Sequence, residues 1–302
     1  MKNYKKTARR TVARHTAHGI SKSDAKENGT ISSIGTERNY RQSLSNYLEW
    51  CDENEVHPDF RANSSTLRQY LEERSEWIQQ KSLDLERQAL QMIFKQKLPF
   101  LRSIRESIYE KRSYTLSQVK AIVAHQNERN AISTWLAFFA GLRAHETATI
   151  MPLDEREFSK GRDWDSKLFI GLPSHITYTV AGKGGLIRRV AVPQWLSIRL
   201  EAKRIPPKKV KDREVIYFAN YDIGFGQAWS QSFYSASQIT LGFSRGGHGL
   251  RHSYAKWRLQ NILAHLGTHQ QIYQMRLEKQ ALLILSQELG HFRLDIVYCY
   301  LR

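Results

Sequence analysis

Cysteine is nearly absent. Cys51 and Cys299 are the only two in 302 residues, too few for a disulfide framework or a zinc site, and a reduced, cytosolic compartment is the default expectation. Long hydrophobic runs are missing as well. The longest nearly apolar stretch, Trp135-Leu-Ala-Phe-Phe-Ala-Gly-Leu142, falls far short of the roughly 20 residues that cross a bilayer. Acid is scarce relative to base: 29 Asp and Glu face 46 Lys and Arg, a net charge of +17. That imbalance points to a polyanionic partner, of which nucleic acid is the commonest, the plainer alternative being a basic surface that only confers solubility. No strongly basic helix with a wide apolar face stands out, which disfavours a membrane surface. The chain does hold enough apolar residues, 41% with 11% aromatic, to rule out disorder throughout, and its length suggests two domains.

Residues 1–30 carry eight Lys or Arg, two acids and almost no large apolar side chain. They read as a flexible basic arm, with Lys5, Lys6, Arg9 and Arg10 as candidate DNA contacts, and no apolar core of a secretory signal follows. Residues 31–108 read as a small helical domain. Tyr40, Leu44, Tyr47, Leu48 and Cys51 form one stripe, Leu67, Tyr70, Leu71, Trp77 and Ile78 a second, and Leu85, Leu90, Ile93 and Phe94 a third. A boundary is expected at about residues 109–114, so that 109–302 forms the second domain. There Thr115-Leu-Ser-Gln118 has capping-box spacing, and Ala131–Ile150 reads as one helix interrupted, or two meeting, at Gly141. Lys167–Ile170 reads as a short strand. Ile176–Val180 and Leu186–Val192 alternate in polarity around a Gly182-Lys183-Gly184-Gly185 turn and make a hairpin. Beyond Pro206-Pro207 and the cluster Lys208-Lys209-Val-Lys211, the pattern is mainly helical.

Several familiar patterns fail on spacing. Gly182-Lys183-Gly184-Gly185 lacks the spacing of a phosphate-binding loop, and His145-Glu146 lacks the second histidine of a zincin helix. His265 and His269 share a helical face without a third metal ligand. What remains is one ordered set: Gly141-Leu142-Arg143-Ala-His-Glu146, then Lys183, His248-Gly-Leu-Arg251-His252, Leu289-Gly290-His291, and Tyr300.

In that order the set resembles the tyrosine recombinases, the phage-integrase and Xer-like site-specific recombinases, whose pattern runs Arg, Lys, His-x-x-Arg, His or Trp, Tyr. The resemblance covers residues from about 30 to 302. It implies a mainly α fold with a small β-sheet: an N-terminal helical core-binding (SAM-like) domain and a mixed α/β catalytic domain, closing as a C-shaped clamp on duplex DNA. It also implies strand cleavage and rejoining through a 3′-phosphotyrosine, with no cofactor and no metal. Planar, permanently charged guanidinium groups suit a phosphodiester whose charge spreads during attack, so Arg143 and Arg251 are the candidate clamp. His248, at i, i+3 from Arg251, would accept the attacking proton, and Glu146, at i, i+3 from Arg143, would orient its neighbours. By resemblance Lys183 would protonate the leaving 5′-oxygen, His291 would bond the phosphate, and Tyr300 would attack. Nine positions place His291 and Tyr300 on opposite sides of any one helix, so the chain must turn between them, near Phe292–Asp295. Tyr298 would point about 200° away from Tyr300 on a helix, and the spacing from His291 favours Tyr300.

The resemblance further implies a homotetramer on two double-stranded recombination sites, accessory DNA-bending or directionality factors in some systems, and a cytoplasmic, nucleoid-associated enzyme. The basic arm tilts the reading towards a mobile element. Two departures stand out. Arg251 and His291 are 40 residues apart, with 270–286 as an extra helical insertion, and only Leu301 and Arg302 follow Tyr300. A C-terminal helix for coupling protomers is therefore not expected, and the 270–286 segment or the arm would take that part. A type IB topoisomerase-like nicking-resealing enzyme uses nearly the same residues, and a DNA-binding accessory protein with a vestigial site stands as the non-catalytic alternative.

Overall fold

A computed structural model describes residues 3–20, 22–57, 64–106, 111–182, 184–212, 215–267 and 271–301. The chain divides into two compact units, Met1–Tyr109 and Glu110–Arg302.

The first unit contains α1 (Tyr4–Ala13), α2 (Lys22–Glu27), α3 (Ile34–Glu53), α4 (Ser64–Trp77) and α5 (Gln80–Phe94). Ser33 caps α3, its hydroxyl accepting the Thr36 N–H at 3.1 Å. The three stripes meet in one core: Leu44, Tyr47, Leu48 and Cys51 of α3, Leu67, Tyr70 and Leu71 of α4, and Leu90, Ile93 and Phe94 of α5. Trp77 departs from its stripe and stays 67% exposed at the end of α4.

The expectation of a flexible arm over 1–30 is corrected. Residues 4–13 are α1, capped by Asn3, and Ala8 and Val12 are fully buried in the core that α3 contributes to. Spaced one turn apart, they form a seam so small that helix backbones approach closely, which a search for large apolar residues overlooks. The His15 carbonyl accepts the Ile31 N–H at 2.8 Å, and the Ile31 carbonyl accepts the Ala17 N–H at 2.9 Å, pinning the following segment. Lys5, Lys6, Arg9 and Arg10 all remain exposed on this helix.

The second unit contains α6 (Leu116–Ala124), α7 (Glu128–Phe139), β1 (Met151–Pro152), β2 (His175–Ala181), β3 (Ile187–Pro193), α8 (Gln194–Glu201), β4 (Arg204–Asp212), β5 (Val215–Tyr221), α9 (Gly226–Leu241), α10 (His248–Leu266), α11 (Gln271–Glu288) and α12 (Leu294–Leu301). The Thr115–Gln118 capping box is formed. Strands β1, β2 and β3 make an antiparallel sheet in that order, with Tyr178 opposite Val190. Tyr178, Val180, Val190 and Val192 face a core built with Ile132 and Leu136 of α7 and Trp229 and Phe233 of α9. A second core joins α10, α11 and α12 through Tyr254, Ile262, Ala281, Ile284, Leu285, Leu289 and Val297. Ala281, Ile284 and Leu285 of α11, in the segment expected to be an extra helical insertion, thus face this core.

Three local expectations change. Residues 167–170 form turns, the Phe169 N–H donating to the Glu288 carboxylate at 3.0 Å, and among the described residues no strand pairs with them. After Gly141 the chain runs through turns and one short 3-10 segment, Thr147–Thr149, so α7 has no helical continuation. The chain beyond Pro206-Pro207 and Lys208-Lys209-Val-Lys211, read as mainly helical, first supplies a strand: β4 (Arg204–Asp212) pairs antiparallel with β5 (Val215–Tyr221). Its register shifts between Arg204 and Lys208, which lets Pro206-Pro207 sit in a strand that lacks their N–H donors. Among the described residues no helix is long and apolar enough to cross a membrane.

Candidate active site

Three loops and two helices converge in the second unit. Helix α7 ends at Phe139 with Ala140 as its C-cap, and Gly141 follows in the left-handed region at φ +63°. Any Cβ there would overlap the Tyr254 ring, 2.6 Å away, so glycine alone lets the chain turn and aim its carbonyl inward. Arg143 and Glu146 follow. Helix α10 starts at His248 and presents Arg251 one turn later. The Leu289-Gly290-His291 turn closes α11, and α12 carries Tyr300.

Arg143, Glu146, His248, Arg251, His291 and Tyr300 come together. The Tyr300 hydroxyl lies 3.2 Å from Arg251 Nε, which donates to it, and 3.1 Å from His291 Nε2, to which it donates. Arg143 Nη2 donates to the same His291 nitrogen at 2.9 Å. An Nε2 that accepts from both fixes the neutral imidazole with its proton on Nδ1. The Tyr300 ring centroid is 5.3 Å from His248 and 5.0 Å from His252, and the Tyr300 carbonyl accepts from His252 Nδ1 at 3.1 Å. Tyr300 is 5% exposed and Tyr298 49%; only Tyr300 faces this cluster. Lys183 lies outside the described residues. The base of its hairpin abuts the site, since a Cβ on Gly182 would stand 3.4 Å from Glu146 Oε1.

Arg251 is fully buried. It donates through Nη1 to the Gly141 carbonyl and through Nη2 to the Leu289 carbonyl, and Nε reaches Tyr300. Of its five N–H groups these bonds use three. Glu146, fully buried, accepts from Arg143 Nη1 at 2.5 Å, from the Arg143 backbone N–H at 2.8 Å and from Arg188 Nη2 at 2.7 Å. Burial would push its carboxyl up, yet Arg188, Arg143 and Arg251 together outweigh that and hold it well below the usual range. Three guanidinium groups around one carboxylate leave excess positive charge away from water, an arrangement that favours binding of an anion.

The same charge acts on the bases. Burial first, then Arg251, Arg143 and Arg188, push His291 down to about 3. Burial and Arg251 push His248 down to about 4. His248 keeps an exposed edge, so solvent tempers that depression. Burial and Arg143 lower the Arg251 guanidinium to about 10, still charged at neutral pH. Among the described residues no group of three His, Cys, Asp or Glu is placed to hold a metal ion.

One participant escaped sequence reasoning. Arg188 of β3 is buried, and it donates to Glu146, to the Gly141 carbonyl (3.2 Å) and to the Glu288 carbonyl (2.6 Å). A signal existed: Arg188 shares its strand face with Val190 and Val192, both buried, and an arginine in the core-facing phase of an alternating strand demands a buried partner. Behind it, Glu288 accepts from Arg258 Nε and Nη2 at 2.9 Å each and from the Tyr254 hydroxyl at 2.8 Å.

No family model matches the sequence, and no curated protein does. Solved structures do match along nearly the whole chain. A XerH site-specific recombinase bound to difH substrate, in a pre-cleavage complex, is 15% identical with a TM-score of 0.54, over 99% of this chain and 91% of that one. Its post-cleavage complex on palindromic difH gives 0.55 at the same identity, over 99% and 90%. The Tn1549 transposon integrase in complex with transposon right end DNA is 12% identical with a TM-score of 0.54, over 97% and 94%. At such identities the likeness is one of fold.

Proposed function

With the tyrosine recombinase fold as premise, we propose that this chain is a site-specific DNA recombinase that cuts and rejoins strands through Tyr300. One observation carries the reading: the Tyr300 hydroxyl stands between Arg251 Nε and His291 Nε2, with Arg143 on the same histidine. A hydroxyl at hydrogen-bond distance from a buried guanidinium and a neutral imidazole is arranged for attack on an anionic centre.

In this reading the scissile phosphate takes up the remaining donors of Arg251 and those of Arg143. The Tyr300 oxygen attacks phosphorus as its proton passes to His248, directly or through the phosphate. A phosphotyrosine bond to the 3′ side forms, the bond to the 5′-oxygen breaks, and Lys183 gives that oxygen a proton. His291 turns its hydrogen bonding to the phosphate, and Glu146 keeps both clamp loops in place. Attack by a second strand's 5′-hydroxyl reverses the sequence, so the bond energy is retained without nucleotide hydrolysis. The partner is double-stranded DNA, engaged by four copies on two recombination sites, with mobile-element integration as the favoured biological setting. The exposed Lys5, Lys6, Arg9 and Arg10 on α1 contribute phosphate contacts.

A pool of nicked suicide duplexes of randomised sequence, incubated with protein and resolved on a denaturing gel, tests this. Wild type and Tyr298→Phe are expected to trap covalent adduct, and Tyr300→Phe none. Adduct that persists in Tyr300→Phe, or sequence-specific binding with no adduct in any variant, overturns it. Relaxation of supercoiled plasmid without a recombination site assigns nicking and resealing instead.

A further inference from the structure

His291 stands between two residues with left-handed backbones, Gly290 at φ +68° and Phe292 at φ +55°. Glycine adopts that conformation freely. A phenylalanine there is strained and persists only where its surroundings hold it. Those surroundings are the loop joining β1 to β2, residues 153–174. Trp164 meets the Phe292 ring edge-on, centroids 4.8 Å apart at 71°, and the Arg162 guanidinium lies 5.5 Å from the same ring centre.

Trp164 is itself fixed. Its Nε1–H donates to the Ser159 carbonyl at 2.8 Å, and Phe158 meets it edge-on at 5.9 Å. The Arg189 guanidinium lies over Phe158 at 4.2 Å and over Trp164 at 5.7 Å. Ser159 ties the loop to β3, its N–H donating to the Ile187 carbonyl at 2.9 Å and its hydroxyl accepting the Ile187 N–H at 3.0 Å. The same loop grips the end of α11. The Asp165 N–H donates to Gln287 Oε1 at 2.7 Å, Gln287 Nε2 to the Asp163 carbonyl at 3.0 Å, and the Phe169 N–H to Glu288 Oε1 at 3.0 Å. The turn that carries His291 is therefore held on both flanks by one loop.

We propose that the β1–β2 loop is a brace that sets the orientation of the His291 imidazole, with Trp164 and Phe292 as positioning residues. Rotation about the Phe292 φ bond swings His291 relative to α12, where Tyr300 sits. Released from Trp164, Phe292 relaxes out of the left-handed region and His291 leaves its place between Tyr300 and Arg143. The catalytic consequence rests on the recombinase reading; the brace itself does not. Both rings are only partly buried, so shortening them opens no deep cavity.

The groups facing His291 are Arg143, Glu146, Arg188, Arg251 and Tyr300, and in place they hold it neutral far below the usual imidazole range. The test is ¹⁵N NMR of the His291 ring in the full chain without DNA, at about pH 5.5, assigned by comparison with His291→Gln. Wild type is expected to show a neutral imidazole protonated on Nδ1. In Trp164→Leu and Phe292→Ser the apparent pKa should rise by about two units or more, enough for imidazolium to appear at this pH. Trp164→Phe and Phe292→Tyr keep the rings and should keep the wild-type signal. Phe292→Gly removes the ring but also the strain that drives the turn away, and should shift the signal less than Phe292→Ser. Lowered melting temperatures with an unchanged His291 signal in the Leu and Ser variants overturn the brace. A shifted signal with no covalent adduct from wild type on DNA counts against the proposed function and leaves the brace standing.

Discussion

Two buried carboxylates, one in each unit, gather cations in opposite ways. In the first unit Glu86 accepts from Arg74 at 2.9 and 3.0 Å, from the Tyr70 hydroxyl at 2.8 Å and from Asn46 at 3.0 Å. One guanidinium meets one carboxylate, neutral donors fill the remaining lone pairs, and the cluster is complete. In the second unit Glu146 serves Arg143, Arg188 and, at 3.9 Å, Arg251. A balanced cluster stabilises a fold and asks for nothing more. An unbalanced one stores positive potential away from water and depresses the nearby histidines, which suits a site awaiting a phosphate. The second unit also contains a balanced example, Arg258 with Glu288, so the imbalance belongs to the site and not to the whole unit.

Four experiments would sharpen or break this contrast. The largest effect is expected from Arg251→Lys, which keeps charge but loses the planar fork. Covalent-adduct formation should fall about 10²–10³-fold, as when one transition-state donor is removed, whereas Arg74→Lys should leave it within about twofold by the same single-turnover gel. Next, Glu86→Ala strands Arg74 and Tyr70. Chemical denaturation should show about 3 kcal/mol lost, near the lower end for a broken buried pair because Arg74 keeps some solvent, with adduct chemistry retained in the folded fraction.

The third is a pH series. His291 and His248 have lowered folded pKa values, about 3 and about 4, so below the ordinary imidazole value the unfolded chain binds more protons than the folded one. Stability is therefore full above about pH 6.5 and falls as pH drops towards 4. Paired His248→Gln and His291→Gln changes should flatten that slope in denaturant titrations at pH 7, 6 and 5. An unchanged slope would remove the excess charge from the explanation. The smallest effect is expected on α1: each of Lys5→Ala, Lys6→Ala, Arg9→Ala and Arg10→Ala should reduce the salt slope of DNA binding by about one and leave adduct chemistry at saturating DNA unchanged.

Much of the site was legible because its members sit in short local contexts. The hairpin announced itself by alternation around a Gly-Lys-Gly-Gly turn, the capping box by its spacing, and Tyr300 over Tyr298 by its nine-residue distance from His291. Arg188 was not legible, since its meaning depends on which strand face becomes buried and on a carboxylate 42 residues away. The docking of α1 rests on Ala8 and Val12, too small to mark a stripe. Strands β4 and β5 were missed because the chain beyond Pro206-Pro207 read as mainly helical, and a prolyl pair enters a strand only where the register shifts to accommodate it.

What the amino-acid order decided alone was the inventory: a basic chain, helical stripes, one hairpin, and a set of arginines, histidines and a tyrosine in fixed succession. Those follow from side-chain chemistry and from periods of a few residues, which need no distant partner. The tertiary structure decided the rest: that three guanidinium groups share one carboxylate, that Tyr300 lies against Arg251 and His291, and that a loop from the sheet holds the turn between them. Such facts depend on contacts between segments 40 to 150 residues apart, and they arise only when burial forces charged groups to find partners wherever the packed chain places them.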